Sequence, residues 1–314
     1  MHIIETENLT KKYKNVTAVD GLNLRVDEGE VFGLLGPNGA GKTTTILMLT
    51  TLLSPTSGNA KVNNFDVVRE PDKVRKSLGI VFQEFSSDEM LTGYENLKLH
   101  GWLYDMPGRL MEERIKEALE LVELTSRKDD ILKKYSGGMR RRLEIARGLI
   151  HHPKVLFLDE PTIGLDPQSR ERVWAFIKQL ADREKITVII TTHYMDEADK
   201  LCDRLAIIDH GKIVVLATPK KLKKDLGGDI IRLKARKPNL EALKAMDYVK
   251  NVSKCGDEVC LTVEEANEHL QEILDAVGKV ESVEVHSPTL DDVFMHYTGR
   301  AIRDEIHDNG SWQK

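Results

Sequence analysis

The sequence predicts an α/β fold with a parallel-sheet core, an antiparallel β layer before it, a helix-rich insert and a small C-terminal α+β domain. Residues 31–35 are an apolar run that leads through a glycine-rich turn into the helical pattern of 43–53. Residues 155–158 are four apolar residues in a row, which is typical of a central parallel strand covered on both faces. From 230 to 285 the pattern follows the order β-α-β-β-α-β, which is that of a small ferredoxin-like unit.

Composition and charge limit the class of protein. The chain has 314 residues, 40% of them hydrophobic and 31% charged, and a formal net charge of −5, which predicts a globular protein of about two domains with no stable nucleic-acid partner. No apolar run reaches the roughly 18 residues of a membrane span, and residues 1–5 do not begin a secretory signal, so membrane contact is expected only through a partner. The three cysteines, an odd and sparse set, favour a reducing compartment over a disulfide framework.

The domain organisation follows from changes in periodicity. Residues 3–35 alternate through a hairpin-like turn at 27–29, which predicts the antiparallel layer, and apolar residues three to four apart predict a helix over 112–123. Ser287 as N-cap and Pro288 at N1 predict the start of a last helix. The basic run 140–142 is interpreted as a solvated helix face with local ion pairs. The predicted segments are a first domain at 1–219 with a helical subdomain at about 84–150, a linker at 220–228, an α+β accessory domain at 229–300 and a polar tail at 301–314.

Residues 36–43 have the pattern of a phosphate-binding loop, G-x-x-x-x-G-K-T, between the predicted strand and helix. Its glycines let backbone N–H groups converge on phosphate oxygens, and the helix N-terminus adds positive potential. Lys42 would reach the β- and γ-phosphates, and the Thr43 hydroxyl would ligate Mg²⁺. The residues predicted to contact the nucleotide here are Gly36, Pro37, Asn38, Gly39, Ala40, Gly41, Lys42, Thr43 and Thr44.

Two carboxylates follow the apolar run at 155–158. Asp159 would lie at the carboxyl end of the predicted strand and hold the Mg²⁺ shell. Glu160, one residue further on, would polarise the attacking water. Taken alone the pair could be a solvated strand end, but the phosphate loop favours the catalytic interpretation.

A second glycine motif, Tyr135-Ser136-Gly137-Gly138-Met139, precedes another helical pattern. Here the chain resembles the ABC (ATP-binding cassette) ATPase family, whose signature is usually Leu-Ser-Gly-Gly-Gln. Ser136 is expected to cap a helix whose N-terminus suits an anion. In the family this motif faces the γ-phosphate bound by the other protomer, so the resemblance implies a head-to-tail dimer with two nucleotides between the subunits. Tyr135 and Met139 depart from the consensus, while Ser136, Gly137 and Gly138 are intact.

The other landmarks of the family occur in its order over roughly residues 1–220. Tyr13 matches the aromatic that stacks on adenine, with a core tyrosine as the alternative. Gln83 matches the Q-loop glutamine, which would sense Mg²⁺ and the γ-phosphate. Asp166 matches the D-loop that crosses the dimer interface, and His193 matches the switch histidine at the γ-phosphate. The resemblance implies the catalytic set Lys42, Gln83, Glu160 and His193 and the Mg²⁺ set Thr43, Gln83 and Asp159.

Residues 288–300 resemble the tail of the drug-resistance (daunorubicin-type) exporter ATPases, in which a Leu-x-Asp-Val-Phe segment precedes Thr-Gly-Arg. The two resemblances imply Mg²⁺-dependent ATP hydrolysis that powers export through a separate integral membrane permease. They also imply a cytoplasmic cassette, peripheral on the inner face of the cell membrane. One complete set of motifs makes a homodimer the simpler expectation, with pairing to a relative left open.

Two other classes compete with the exporter interpretation. A non-transport ABC ATPase acting on the ribosome or on DNA usually has two cassettes, long coiled-coil insertions or an iron–sulfur domain, and the sequence has none of these features. A catalytically silent nucleotide-binding regulator is disfavoured by the intact Lys42, Glu160 and His193.

Overall fold

In the computed structural model of the chain, residues 1–235, 238–255 and 258–299 are described. They form two compact units, one over Met1–Leu216 and one that begins at Ala217. The strands are β1 (His2–Tyr13), β2 (Val16–Asp27), β3 (Val31–Leu35), β4 (Ser57–Val62), β5 (Phe65–Asp66), β6 (Leu78–Val81), β7 (Val155–Asp159), β8 (Thr187–Thr192), β9 (Arg204–Asp209), β10 (Lys212–Ala217), β11 (Asp229–Ala235), β12 (Val249–Cys255), β13 (Glu258–Val263) and β14 (Val280–His286). The helices are α1 (Lys42–Leu49), α2 (Pro71–Ser77), α3 (Gly93–Leu103), α4 (Gly108–Leu121), α5 (Gly137–Leu149), α6 (Pro167–Glu184), α7 (Met195–Leu201), α8 (Pro219–Asp225), α9 (Leu240–Lys244), α10 (Ala266–Val277) and α11 (Leu290–Thr298).

The first unit begins with the predicted antiparallel layer, a sheet in the order β2-β1-β4-β5. The hairpin expected at 27–29 is wrong, because β1 and β2 turn at 14–15 and residues 28–30 lead from β2 into β3 of the other sheet. Its strands alternate buried and exposed residues, as a sheet with one face on the core requires. The alternation shifts where β1 bulges between Thr6 and Leu9. There the Thr6 hydroxyl donates to the carbonyl of Leu22 and accepts from the N–H of Leu24, so the buried backbone stays paired across the bulge.

The second sheet has the order β10-β9-β3-β8-β7-β6, and the β9-β3-β8-β7-β6 pairs are parallel. Every residue of β3, β7 and β8 is buried, which explains the apolar runs at 155–158 and 188–190. The segments after β3, β6, β7 and β8 leave the sheet at the same edge, because parallel strands end on one side. Ligands of open α/β sheets bind outside this edge. The fold therefore brings together the motifs that the sequence places after these strands.

The helix-rich insert of the first unit contains α3, α4 and α5. Thr92 and Glu95 form a capping box at the start of α3. The buried side of α4 carries Met111, Ile115 and Leu119, three to four residues apart, so the predicted helix at 112–123 is present with its start four residues earlier.

The second unit contains an antiparallel sheet in the order β12-β13-β11-β14, with α9 and α10 in the sequence positions of a ferredoxin-like unit. Ile231, Leu233, Leu261 and Ile273 belong to its buried core, which packs strands and helices together. The order β-α-β-β-α-β predicted from the sequence is confirmed.

Two local expectations for the second unit are wrong. Most of the stretch 220–228, predicted as a linker, forms α8, because Thr218 caps the helix and Pro219 occupies its first turn. The last helix, α11, is capped by Thr289 in a capping box with Asp292 rather than by Ser287. The predicted tail at 301–314 lies outside the described residues.

The described cysteines Cys202 and Cys260 are in different states. Cys202 is free and buried, and burial raises the pKa of its thiol. Cys260 is disulfide-bonded, so the expectation of reduced thiols is wrong for this residue. Within the three described ranges, no helix is both long and apolar enough to cross a membrane.

Asp292 anchors the start of α11 and gives a first prediction. Its carboxylate accepts from Arg232 Nη2 at 2.8 Å and from the Thr289 backbone N–H at 2.9 Å, and it lies 3.0 Å from His286 Nε2. Burial raises the pKa of Asp292, but the hydrogen bonds from Thr289 and Arg232 outweigh it and hold the pKa below its usual value. The stabilisation is therefore present above the unfolded pKa and is lost as the pH falls through the lowered folded pKa.

We expect Asp292→Asn to lower the free energy of unfolding of the second unit by about 2 kcal/mol at pH 7, because a charge-assisted hydrogen bond is lost beside Arg232. Urea unfolding followed by hydrogen exchange in β11 measures the change. Asp275→Asn, at an exposed position on α10, is the matched control. Equal stability of Asp292→Asn and the control at pH 7 would contradict this account.

Candidate nucleotide site

The glycine-rich loop at 36–41 joins β3 to α1 in a conformation that side chains would block. A Cβ on Gly36 would lie 2.3 Å from the carbonyl oxygen of Ile208. Gly41 has a φ of +106°, and a Cβ there would lie 2.4 Å from the carbonyl oxygen of Ala18. Gly41 is also the N-cap of α1, so the unpaired N–H groups of the first helical turn adjoin the loop. This arrangement suits a phosphate.

Lys42 is buried within the loop, with 5% of its surface exposed. Its ammonium donates to the carbonyl oxygens of Gly36, at 2.8 Å, and Pro37, at 3.1 Å. It also lies 3.6 Å from Glu160 Oε1. The positive charge is therefore held against the loop, where phosphate oxygens can take over these contacts.

Thr43 and Asp159 meet beside Lys42. The Thr43 hydroxyl donates to Asp159 Oδ2 at 3.1 Å, and the hydroxyl of Thr191 donates to Asp159 Oδ1. Hydroxyl and carboxylate oxygens are the ligands that Mg²⁺ prefers, so these residues fit that ion. The described side chains include no group of three or more His, Cys, Asp or Glu that could hold a metal. Mg²⁺ commonly takes its other ligands from water and substrate phosphates.

Glu160 has a constrained backbone conformation. Its φ of +47° is in the left-handed region, and Thr191 fixes this geometry because its carbonyl and hydroxyl oxygens both accept from the Glu160 N–H. Its Oε1 lies 3.1 Å from His193 Nδ1. Burial raises the pKa of Glu160, but the hydrogen bond from His193 and the charge of Lys42 outweigh it, and the net pKa is lowered. The side chain is therefore an ionised carboxylate at neutral pH and can orient a water.

None of the described hydrogen bonds joins Gln83 or Tyr13 to this cluster. Gln83 is exposed two residues beyond β6, and none of the described hydrogen bonds joins its side chain to Thr43 or Asp159. Tyr13 ends β1 and is 48% exposed, so it is not a core residue. Adenine stacking by Tyr13 stays a prediction.

The signature segment lies beside the D-loop. Ser136 caps α5 and accepts from the N–H of Met139, and Asp166 caps α6 and accepts from the N–H of Ser169. A Cβ on Gly138 would lie 2.8 Å from Ser169 Oγ, so glycine lets the two helix starts pack together. No described hydrogen bond or ion pair joins Ser136 to the cluster around Lys42.

Among the buried polar residues of the first unit, Thr191, Glu197 and Arg141 carry contacts that were not predicted. Thr191 holds both Asp159 and Glu160, as described above. The carboxylate of Glu197 accepts hydrogen bonds from Thr162 Oγ1, at 2.7 Å, and from Trp174 Nε1, at 2.8 Å. Burial raises the pKa of Glu197. Arg141 is 1% exposed, which makes the interpretation of the basic run as a solvated face wrong for its central member. The sequence signal available for Thr191 was its place in the pair Thr191-Thr192, directly after the apolar run 188–190.

The parallel sheet, the phosphate loop and the signature helix together define an ABC-type nucleotide-binding cassette. Residues 19–163 match the family described as ABC transporter, and residues 218–298 match the family described as ATP-binding protein DrrA1-3-like, C-terminal domain. The chain therefore belongs to the ABC transporter family and is an ATP-hydrolysing ATPase.

Within this family the chain is similar to resistance ATP-binding proteins along nearly its whole length. It is 42% identical to the daunorubicin/doxorubicin resistance ATP-binding protein DrrA of Streptomyces peucetius, covering 96% of this chain and 94% of that protein. It is 38% identical to the linearmycin resistance ATP-binding protein LnrL of Bacillus subtilis, covering 96% of this chain and 100% of that protein. A solved dimeric structure of the ATP-binding cassette MJ0796 with ADP and Pi aligns with a TM-score of 0.62 and 29% identity over 68% of this chain and 98% of that one.

Proposed function

We propose that this chain uses ATP hydrolysis to power export of a substrate through a separate membrane-spanning permease. The observation that carries the proposal is the convergence of Lys42, Glu160 and His193 beside the Thr43–Asp159 pair, at the carboxyl edge of the parallel sheet. Export is supported by the name of another relative, the Nod factor export ATP-binding protein I of Cupriavidus metallidurans, to which the chain is 37% identical over 96% of its length.

The phosphate loop and the residues around it bind the nucleotide. The N–H groups of the loop at 36–41 and the ammonium of Lys42 bind the phosphates, and Tyr13 stacks on the adenine. Thr43, Asp159 and Gln83 would hold Mg²⁺. When bound, Mg²⁺ neutralises charge on the phosphate oxygens during phosphoryl transfer.

ATP hydrolysis requires a positioned water and stabilisation of the negative charge that develops on the transferred phosphoryl group. Glu160 orients the attacking water through its ionised carboxylate, since its lowered pKa keeps it charged at neutral pH. His193, 3.1 Å from that carboxylate, supports the γ-phosphate from the neighbouring strand. Lys42 balances the developing negative charge.

The signature residues Ser136, Gly137 and Gly138 act on the nucleotide of a second cassette. They lie at the N-terminus of α5, which favours an anion, and Ser136 and Gly137 are exposed. Asp166 crosses the same interface beside them. ATP binding closes a dimer of two copies, and hydrolysis opens it, so the work is bounded by the difference in affinity for ATP and ADP. The cassette is cytoplasmic and reaches the inner face of the membrane through the permease.

Tyr13 gives the second prediction. We expect Tyr13→Ala to weaken ATP binding by roughly 5- to 150-fold, because stacking of a base on an aromatic ring contributes about 1 to 3 kcal/mol. Titration with a fluorescent ATP analogue measures the affinity, and Tyr13→Phe, which keeps the ring, should bind like the wild type. If Tyr13→Ala keeps wild-type affinity, the base lies elsewhere.

Export is tested by what copurifies with the chain. The Glu160→Gln variant, held with Mg-ATP and isolated from detergent-solubilised membranes, should bring down an integral membrane protein with several spans, and the nucleotide-free sample should bring down less of it. Recovery of ribosomes or nucleic acid without a membrane protein would contradict export and support the non-transport class.

A further inference from the structure

Two buried charged side chains of α5 take no part in the mechanism described above. Arg141 is 1% exposed and Glu144 is 3% exposed. They are three residues apart, so they project from the same side of the helix. Burying a guanidinium and a carboxylate is costly unless their hydrogen bonds are made, and apolar side chains often stabilise such a position at least as well. Their contacts therefore indicate what they do.

Arg141 binds the backbone of the segment that carries Gln83. Its Nη1 donates to the carbonyl oxygen of Phe82 at 2.7 Å, and its Nη2 donates to the carbonyl oxygen of Gln83 at 2.6 Å. The guanidinium also lies 4.8 Å from the ring centroid of Phe85. These contacts fix the two peptide groups on either side of the Gln83 Cα, one through the carbonyl of Phe82 and one through that of Gln83.

Glu144 binds the next turn of the same segment. Its carboxylate accepts from the N–H groups of Ser86, at 3.1 Å, and Ser87, at 2.8 Å, and from both of their hydroxyls. Arg147, one turn further along α5, forms an ion pair with Glu144 at 3.4 Å and donates to the Ser86 hydroxyl at 2.7 Å. Four donors from two consecutive residues therefore converge on one carboxylate.

The segment 82–88 has neither helix nor strand, so these side-chain bonds determine its path. Its far end is also held from the insert, because Asn96 of α3 binds both the N–H and the carbonyl of Asp88. Toward the core, the segment continues directly from β6. It is thus joined covalently to the sheet but hydrogen-bonded to α5.

We propose that Arg141 and Glu144 are positioning residues that tie the loop carrying Gln83 to the signature helix. A rise of about 1.5 Å per residue places Glu144 roughly 12 Å along α5 from Ser136. A displacement of the loop therefore shifts the glycines that face the second nucleotide, and closure over that nucleotide shifts Gln83. The inference rests on the proposed roles of Gln83 and Ser136 in a two-cassette ATP site.

The first test separates turnover from binding in the full-length chain. Glu144→Gln keeps the shape of the side chain but replaces one acceptor oxygen with a donor. We expect its kcat for ATP hydrolysis to fall about tenfold while KM for ATP stays within about twofold, since Lys42 and the phosphate loop are untouched. Glu113→Gln on α4, 57% exposed, is the matched control and should hydrolyse ATP at the wild-type rate.

The second test is a double-mutant cycle with Gln83→Ala. If Glu144 acts by positioning Gln83, the double variant should lose little more turnover than Gln83→Ala alone. Ser87→Ala removes one hydroxyl donor to Glu144 and leaves the charge in place. It should show the same non-additivity with Gln83→Ala and a smaller loss of kcat. This variant replaces Glu144→Gln if Glu144→Gln does not fold. Additive losses, or wild-type kcat in folded Glu144→Gln, would overturn the proposal.

Hydrogen exchange in the Glu160→Gln background distinguishes this inference from the proposed function. Mg-ATP should increase protection of the amides of 86–88 and 137–139 together, and Glu144→Gln should abolish the increase at 86–88 only. An unchanged increase at 86–88 in the presence of Glu144→Gln would overturn the coupling and leave the two-cassette site standing. Failure of Mg-ATP to protect 137–139 in Glu160→Gln itself would overturn the proposed function.

Discussion

Glu160→Gln should reduce the rate of ATP hydrolysis by about 10²- to 10⁴-fold, the usual contribution of a positioned general base. The amide keeps the size of the side chain but loses the negative charge that lies 3.1 Å from His193 and 3.6 Å from Lys42. Removing that charge leaves the ammonium more available for phosphate, so ATP affinity should be unchanged or higher. Single-turnover kinetics and ATP titration measure the two quantities separately.

The matched control is Glu120→Gln, 56% exposed on α4 and far in sequence from the site, which should hydrolyse ATP normally. Hydrolysis by Glu160→Gln at the wild-type rate would remove Glu160 from the mechanism. A parallel loss of ATP affinity would instead show that the residue shapes the binding site.

Lys42→Ala should weaken ATP binding by roughly 10- to 150-fold, because hydrogen bonds to a charged group contribute about 1.5 to 3 kcal/mol. The ammonium is 5% exposed and held by two loop carbonyls, so its replacement also leaves those carbonyls without their donor. Since the charge of Lys42 lowers the pKa of Glu160, that pKa should rise in the variant. Isothermal titration with Mg-ATP measures the affinity.

Lys178→Ala, at an exposed position on α6, controls for the loss of a lysine and should bind ATP like the wild type. ATP affinity of Lys42→Ala within about twofold of the wild type, which is less than 0.5 kcal/mol, would contradict phosphate binding by the loop.

The sequence predicts the core of the fold well because its signals are local. The strand β3, the glycine loop and the start of α1 form one continuous segment, and each part has its own residue pattern. The buried strand β7 is predicted because an unbroken apolar run suits a sheet covered on both faces. The β-α-β-β-α-β order of the second unit is predicted because helical and strand periods alternate there.

What the sequence does not predict depends on distant partners. Arg141 looks like any surface arginine until the fold brings the carbonyls of Phe82 and Gln83 to it. The four lysines of α8 led to its prediction as a polar linker, although Thr218 as N-cap and Pro219 at N1 are a signal for the start of a helix. At α11 two local signals compete, and the Thr289–Asp292 capping box prevails over Ser287 because both of its reciprocal bonds form.

The central claim is that one cassette completes the ATP site of another, and the mass of the Glu160→Gln variant tests it most directly. Sedimentation equilibrium should give twice the mass of the 35.5 kDa chain with Mg-ATP and the mass of a single chain with Mg-ADP. Adding Ser136→Arg, which places a large side chain at the start of α5, should prevent the doubling while ATP still binds. A single-chain mass at saturating Mg-ATP, or a doubled mass that persists with Ser136→Arg, would contradict the account.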